Sequence, residues 1–151
     1  MEERFKTFTV LMSKIRRNIQ RIKAEEMAEY ELKCPHVSCL YYLYKEGAMT
    51  AKQLCDICDE DKAAISRSVD QLGKRGYVEC LDETKKRYRA KIKLTEEGYS
   101  VAEGVVQKVD RILDFAGEGL SEEDRGTFYR SLQIISANLE KICDKYDNPQ
   151  S

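Results

Sequence analysis

The sequence predicts a mainly α-helical chain interrupted once by a small β-hairpin. Three observations lead there. Apolar residues recur at steps of three and four near both ends. Only two prolines occur in 151 residues. From Arg87 to Leu94, polar and apolar side chains alternate strictly. A hydrophobic content of 42% beside 35% charged residues fits a folded, helix-rich chain rather than a disordered one. Its length suits one core of ordinary size. Within it we expect an N-terminal helix over 1–33, a middle region over 34–94 and C-terminal helices over 95–151.

The first element is a long amphipathic helix, because Phe5, Phe8, Met12, Ile15, Ile19 and Ile22 fall on one stripe. A second helix follows, with Cys34 at the cap, Pro35 in the first turn, Val37, Leu40, Tyr41 and Tyr44 on its apolar face, and Gly47 ending it. In MTAKQL, Thr50 and Gln53 make a capping box, and Met49 with Leu54 forms the hydrophobic staple across it. That helix should run to about Cys58. After the polar break DEDK another opens at Asp61 or Lys62, with Ile65, Val69 and Leu72 inward and Gly76 just past its end. Tyr77–Leu81 and Arg87–Leu94 read as paired strands, with DETKK as the hairpin tip. Two further stripes close the chain. Ala102, Val105, Val109, Ile112 and Ala116 form one, and Phe128, Leu132, Ile135, Leu139 and Ile142 the other, with Thr95 and Ser121 as N-caps. Two destinations are open for these stripes: packing within the chain, or burial against a second copy.

Charge is segregated along this order. The formal net charge is −1, yet between Lys62 and Lys93 ten Lys and Arg face four Asp and Glu, and the remaining residues carry 16 against 23. Such a field can draw a polyanion to one face while the acidic remainder keeps the chain soluble. No apolar run approaches the ~18 residues that span a bilayer. The N-terminus scatters charge through its apolar positions and lacks the core of a secretory signal. We therefore expect no membrane partner, a cytoplasmic location and mostly free thiols.

Two short helices joined by a tight turn and followed by a basic hairpin describe a winged helix-turn-helix, flanked here by helices suited to dimerisation. In that arrangement the second helix lies in the major groove. Its outward residues are Lys62, Ala63, Ser66, Arg67 and Asp70. Arg67 can take two guanine acceptors at once, Ser66 can donate to a base or phosphate, and Ala63 leaves room for a thymine methyl. Lys85, Lys86, Arg87 and Arg89 on the hairpin would meet phosphates or the minor groove.

At these residues a family resemblance emerges. The order of elements, the segment KAAISRSVDQLGKRGYVEC and the wing ending in KIKLTEEG resemble the MarR family of winged-helix transcription regulators, over nearly the whole chain. The resemblance implies a homodimer built from the first and last two helices, bound to double-stranded DNA at a pseudo-palindromic operator, most often as a repressor. It implies Ser66 and Arg67 as recognition-helix contacts, Thr50, the cap of the motif's first helix, among the DNA-binding residues, and a DNA-contacting wing. Many relatives carry Asp-x-Arg-Arg near the wing tip. Here the segment is DETKKRYRA, with Tyr88 at the usual arginine position, so Arg87 or Arg89 must stand in. Members often bind small aromatic effectors where the dimer helices meet the winged unit, which would involve Tyr41 and Tyr44. Core packing is the other reading of these tyrosines.

Other chemistry finds little footing. Cys55 and Cys58 have Cys-x-x-Cys spacing, open to packing, redox sensing or, with Cys34, His36 and Cys39, metal binding. His36, on a first helical turn, is expected in solvent and given no role. A single histidine and the lack of a glycine-rich phosphate loop argue against an enzyme, and no cofactor or metal is expected. The rivals are a thiol-based redox regulator on the same scaffold and a winged-helix module that binds protein.

Overall fold

A computed structural model describes residues 2–82, 84, 86 and 89–147, apart from the side chains of Glu2, Phe5 and Cys34. Lys85, Arg87 and Tyr88 of the expected wing lie outside the described residues. The element order is α1 (Glu2–Phe5), a π-helical turn (Lys6–Val10), α2 (Leu11–Glu26), a 3-10 turn (Ala28–Tyr30), α3 (Cys34–Glu46), β1 (Met49–Thr50), α4 (Ala51–Cys58), α5 (Lys62–Lys74), β2 (Val78–Cys80), β3 (Lys91–Leu94), α6 (Glu96–Ala116) and α7 (Glu122–Asp147). The chain is mainly helical with a small antiparallel sheet, as expected. It divides into two compact units, 1–110 and 111–151, with the boundary inside α6.

Helix boundaries follow local chemistry. The cap of α3 falls on Lys33, one residue before the expected Cys34. Its amide donates to Nδ1 of His36 at 3.2 Å. At α4 the capping box forms as read: Gln53 N–H donates to Thr50 Oγ1 at 3.2 Å, and Thr50 N–H donates to Gln53 Oε1 at 2.8 Å. The turn after α4 passes through Asp59 at φ 52°, a left-handed conformation that Asp tolerates better than most residues. Asp61 then caps α5, accepting from Ala64 N–H at 2.7 Å. Thr95 accepts from Gly98 N–H at 3.0 Å, and Ser121 accepts from Asp124 N–H at 3.0 Å, so both expected N-caps form.

The sheet is larger than a hairpin. Its order is β1-β3-β2, all antiparallel, with Met49 opposite Ile92 and Val78 opposite Leu94. The two-residue β1 carries no period of its own, so the sequence reads it only as the approach to α4. Its backbone nevertheless satisfies the free edge of β3. The paired strands are also shorter than the alternation suggested.

The core of the first unit gathers Met27, Leu40, Leu54, Ile65, Leu72 and Ile92 with their neighbours. Met49 and Leu54 of the staple are both buried there. Ala102 and Val105 of α6 are fully buried in the same core, so that stripe packs within the chain. The N-terminal stripe fares differently: Phe8 of the π-helical turn and Ile15 and Ile19 of α2 are 40%, 44% and 45% exposed. In the second unit, Phe128, Leu139 and Ile142 on α7 are similarly uncovered.

Candidate nucleic-acid interface

Helix α5 is oriented by its apolar face. Ile65, Ser68 and Leu72, at steps of three and four, are buried, and Val69 packs partly against the same core. The opposite row must then face outward. Lys62, Ala63, Arg67 and Asp70 are exposed, and Ser66 is half-buried on the side toward the sheet. The five residues singled out on this helix therefore share one continuous surface. Thr50, half-buried at the start of α4, is occupied by its capping bonds.

Between α5 and the sheet runs a groove of about 580 Å³, whose walls include Ser66, Val69, Val78 and Ile92, with Lys62, Lys74 and Lys86 among its polar lining. It is apolar at the floor and carries cations around it, with Asp70 and Glu79 as the acidic members. Lys86 and Arg89 are exposed on the segment between β2 and β3. Lys74 was not singled out by the sequence, although it lies eleven residues after Ala63 and so on the same helical face.

Not every cation in the basic stretch belongs to that surface. Lys93 pairs with Glu79 across the β2–β3 ladder at 3.0 Å. Arg75, just past α5, donates to the Tyr30 and Glu31 carbonyls at 2.9 and 3.1 Å and lies over the Tyr77 ring. It is a brace between the turn after α2 and the end of α5. Summing charge along the sequence could not separate such internal pairs from free surface charge.

His36 corrects an expectation. The imidazole is only 5% exposed, not in solvent. Nδ1 accepts from the Lys33 amide, and Nε2 lies 2.7 Å from Gln71 Oε1 on α5, which fixes the proton on Nε2. Burial holds its pKa below the usual value. The Gln71 bond works against that shift, and Arg75 and Lys33 reinforce it. Both nitrogens are thereby committed to protein partners.

The tyrosines proposed to border an effector pocket make internal contacts. Tyr41 donates to Asp110 Oδ1 at 3.2 Å, and Lys45 pairs with the other oxygen at 3.1 Å. Tyr44 stacks on Tyr99 with ring centroids 4.7 Å apart. These bonds tie α3 to α6. Cys55 and Cys58 are both half-buried against the core in which Cys39 of α3 is fully buried.

No helix among the described residues is long and apolar enough to cross a membrane. Residues 30–87 match the family model described as MarR family. Over 118 residues the chain is 26% identical to an uncharacterised HTH-type transcriptional regulator, YfiV, of Bacillus subtilis, covering 76% of this chain and 72% of that one. The fold resembles S. aureus MepR in its DNA-binding conformation, with a TM-score of 0.77 and 18% identity over 87% of this chain and 98% of that one. It also resembles Bordetella bronchiseptica BpsR, whose DNA binding is regulated by 6-hydroxynicotinic acid. There the TM-score is 0.72 and the identity 18%, over 85% of this chain and 92% of that one. At these identities the structural likeness is one of fold. The helix-turn-helix region is thus similar in sequence to the MarR family, and along most of the chain the winged architecture is similar in fold to these solved structures.

Proposed function

We propose that the protein is a homodimeric repressor that reads a pseudo-palindromic DNA operator and responds to a small aromatic ligand. The observation that carries this reading is the outward row of α5. Lys62, Ala63, Ser66, Arg67 and Asp70 lie on one accessible surface, beside a groove lined by three lysines and next to the wing segment that bears Lys86 and Arg89. In this reading Arg67 and Ser66 meet base edges, Ala63 meets a thymine methyl, and the lysines take the phosphates on either side. Lys85 and Arg87 extend the same wing contact.

The apolar stripes on the N-terminal helical segment and on α7 support the dimer, because a residue set such as Phe8, Ile15 and Ile19 gains by leaving water. Two copies would present two α5 helices to successive major-groove faces about 34 Å apart. A ligand lodged near Tyr41 and Tyr44 would compete with the Asp110 and Tyr99 contacts that tie α3 to α6, and would change that spacing. The regulation of BpsR by a hydroxylated aromatic acid supports this class of effector. The site of action is then the cytoplasm, where the DNA is.

Selection of bound sequences from a random duplex pool tests the reading. The expected outcome is enrichment of an inverted repeat with half-sites centred about one helical turn apart. A pool that stays random, with binding indifferent to salt, would instead favour a winged helix that docks on protein, since phosphate neutralisation must release counterions.

A further inference from the structure

Helix α2, whose Ile15 and Ile19 remain uncovered, joins α3 through residues 27–33. That connector holds the 3-10 turn and Glu31, whose φ of 53° is left-handed. A residue with a Cβ rests in that conformation only where its surroundings hold it there. Met27 and Leu32 anchor the connector in the core. Its backbone is also gripped by side chains from far along the chain.

Two cations from distant elements reach it. Lys108 of α6 donates to the Glu26 carbonyl at 3.0 Å, pairs with the Glu29 carboxylate and lies over the Tyr30 ring. A cation suits that place, since the last carbonyls of α2 are the negative end of its dipole. Arg75, the first residue past α5, donates through Nη2 to the Tyr30 carbonyl at 2.9 Å and through Nη1 to the Glu31 carbonyl at 3.1 Å. One turn earlier, Gln71 bonds to His36 of α3 at 2.7 Å. The end of α5 is thus fastened at two points four residues apart, one on α3 and one on the connector that leads to α2. Apolar packing is non-directional and fixes how deep α5 sits, whereas hydrogen bonds at two separated points fix its direction.

We propose that Arg75 is a positioning residue for operator recognition, whose fork onto the Tyr30 and Glu31 carbonyls sets the direction of α5 relative to α2 and so the half-site separation that a dimer accepts. The role rests on the reading of the protein as a dimer on a two-half-site operator. With two copies joined through their α2 stripes, the angle between α2 and α5 enters twice into the separation of the α5 helices. One base pair added between half-sites moves one of them ~3.4 Å along the duplex and about a tenth of a turn around it, so a fixed angle rejects the wrong spacing. A guanidinium suits the task because its planar fork reaches two acceptors at once, whereas an ammonium acts as a point charge. The Glu31 carboxylate also lies 3.5 Å from Arg75, but its side chain is 85% exposed and such a pair adds little.

The experiment measures the affinity of the full chain for duplexes carrying the inverted repeat enriched from a random pool, with half-sites at the selected separation and at one and two base pairs more or less. Wild type should favour the selected separation over the others by ~10-fold or more. In Arg75→Ala and Arg75→Lys that ratio should fall to ~3-fold or less, through loss at the selected separation, while a duplex with a single half-site is bound as tightly as by wild type. Arg75→Lys keeps the charge and should leave the thermal unfolding midpoint nearly unchanged, so a poorly folded Ala variant does not silence the test. Glu31→Gln keeps both carbonyls and should retain the wild-type ratio. An equal loss at every separation, in step with a lower unfolding midpoint, would make Arg75 a stabilising residue only and overturn the proposal. So would a spacing preference that survives in Arg75→Lys, or one that Glu31→Gln abolishes. Wild-type protein that binds every separation alike ends the operator reading and this role with it, an outcome distinct from a sharp wild-type preference left intact in the variant.

Discussion

Arg67 is exposed beside half-buried Ser66 on the outward row of α5. Its guanidinium can engage two acceptors on one guanine, worth ~1–3 kcal/mol of discrimination. Arg67→Glu should therefore abolish preference for a selected operator while leaving the thermal unfolding midpoint nearly unchanged. Operator preference that survives in gel-shift competition would remove Arg67 from base recognition. His36 makes a second residue-scale case. Burial depresses its pKa in the folded state, so the neutral imidazole stabilises the fold above its unfolded value of ~6.5. That contribution is lost as pH falls from there through the folded pKa, because a cationic ring has no lone pair left for the Lys33 amide. Melting curves should show His36→Gln less stable by ~1–2 kcal/mol near neutral pH, with the gap to wild type narrowing on acidification. A gap that stays constant across that window would contradict the tautomer inferred for His36. The residue could not be read correctly from sequence, since its partner Gln71 is 35 positions away.

At the scale of elements, the junction between the sheet and α6 is set by backbone contact. Thr95 donates its hydroxyl to the Gly76 carbonyl and its amide to the Tyr77 carbonyl at 3.1 Å. A Cβ on Gly98 would overlap that same Tyr77 carbonyl. Gly98→Ala should destabilise the chain by ~1–3 kcal/mol or more in urea unfolding, because the neighbour is backbone and cannot rotate away. An unchanged midpoint would mean that α6 can shift at little cost. The wing yields a different signature. Lys86 is exposed, and its truncation to Ala should weaken binding to all duplex sequences alike and lower the salt slope by ~1. A sequence-selective loss would instead place Lys86 against a base. The capping box at Thr50 and Gln53, the turn at Asp59 to Asp61 and the glycine after α5 were legible locally. The third strand was not, because Met49 and Thr50 become a strand only by pairing with Ile92 and Lys91.

For the whole molecule, the decisive property is which apolar stripes remain uncovered. Spacing alone treats the three stripes as equals. Packing separates them, since Ala102 and Val105 of α6 are buried while Ile15 and Ile19 of α2 stay nearly half-exposed. Ile19→Asp should leave the unit's own core intact yet shift the protein from dimer to monomer in analytical ultracentrifugation, with cooperative loss of affinity for a two-half-site operator. A wild-type chain that sediments as a monomer, or a variant that still sediments as a dimer, would refute the role given to the α2 stripe.

The sequence by itself determined what depends on near neighbours: the helices and their caps, the alternation leading into β3, the outward row on α5 and the family resemblance those features carry. Each rests on residues within about two helical turns of one another, where backbone geometry dictates which side chains share a face. Tertiary structure decided that Lys93 pairs with Glu79, that Arg75 braces the turn after α2, and that His36 is buried beneath α5. Those outcomes depend on which elements pack together. A partner supplied from tens of residues away leaves no period in the chain.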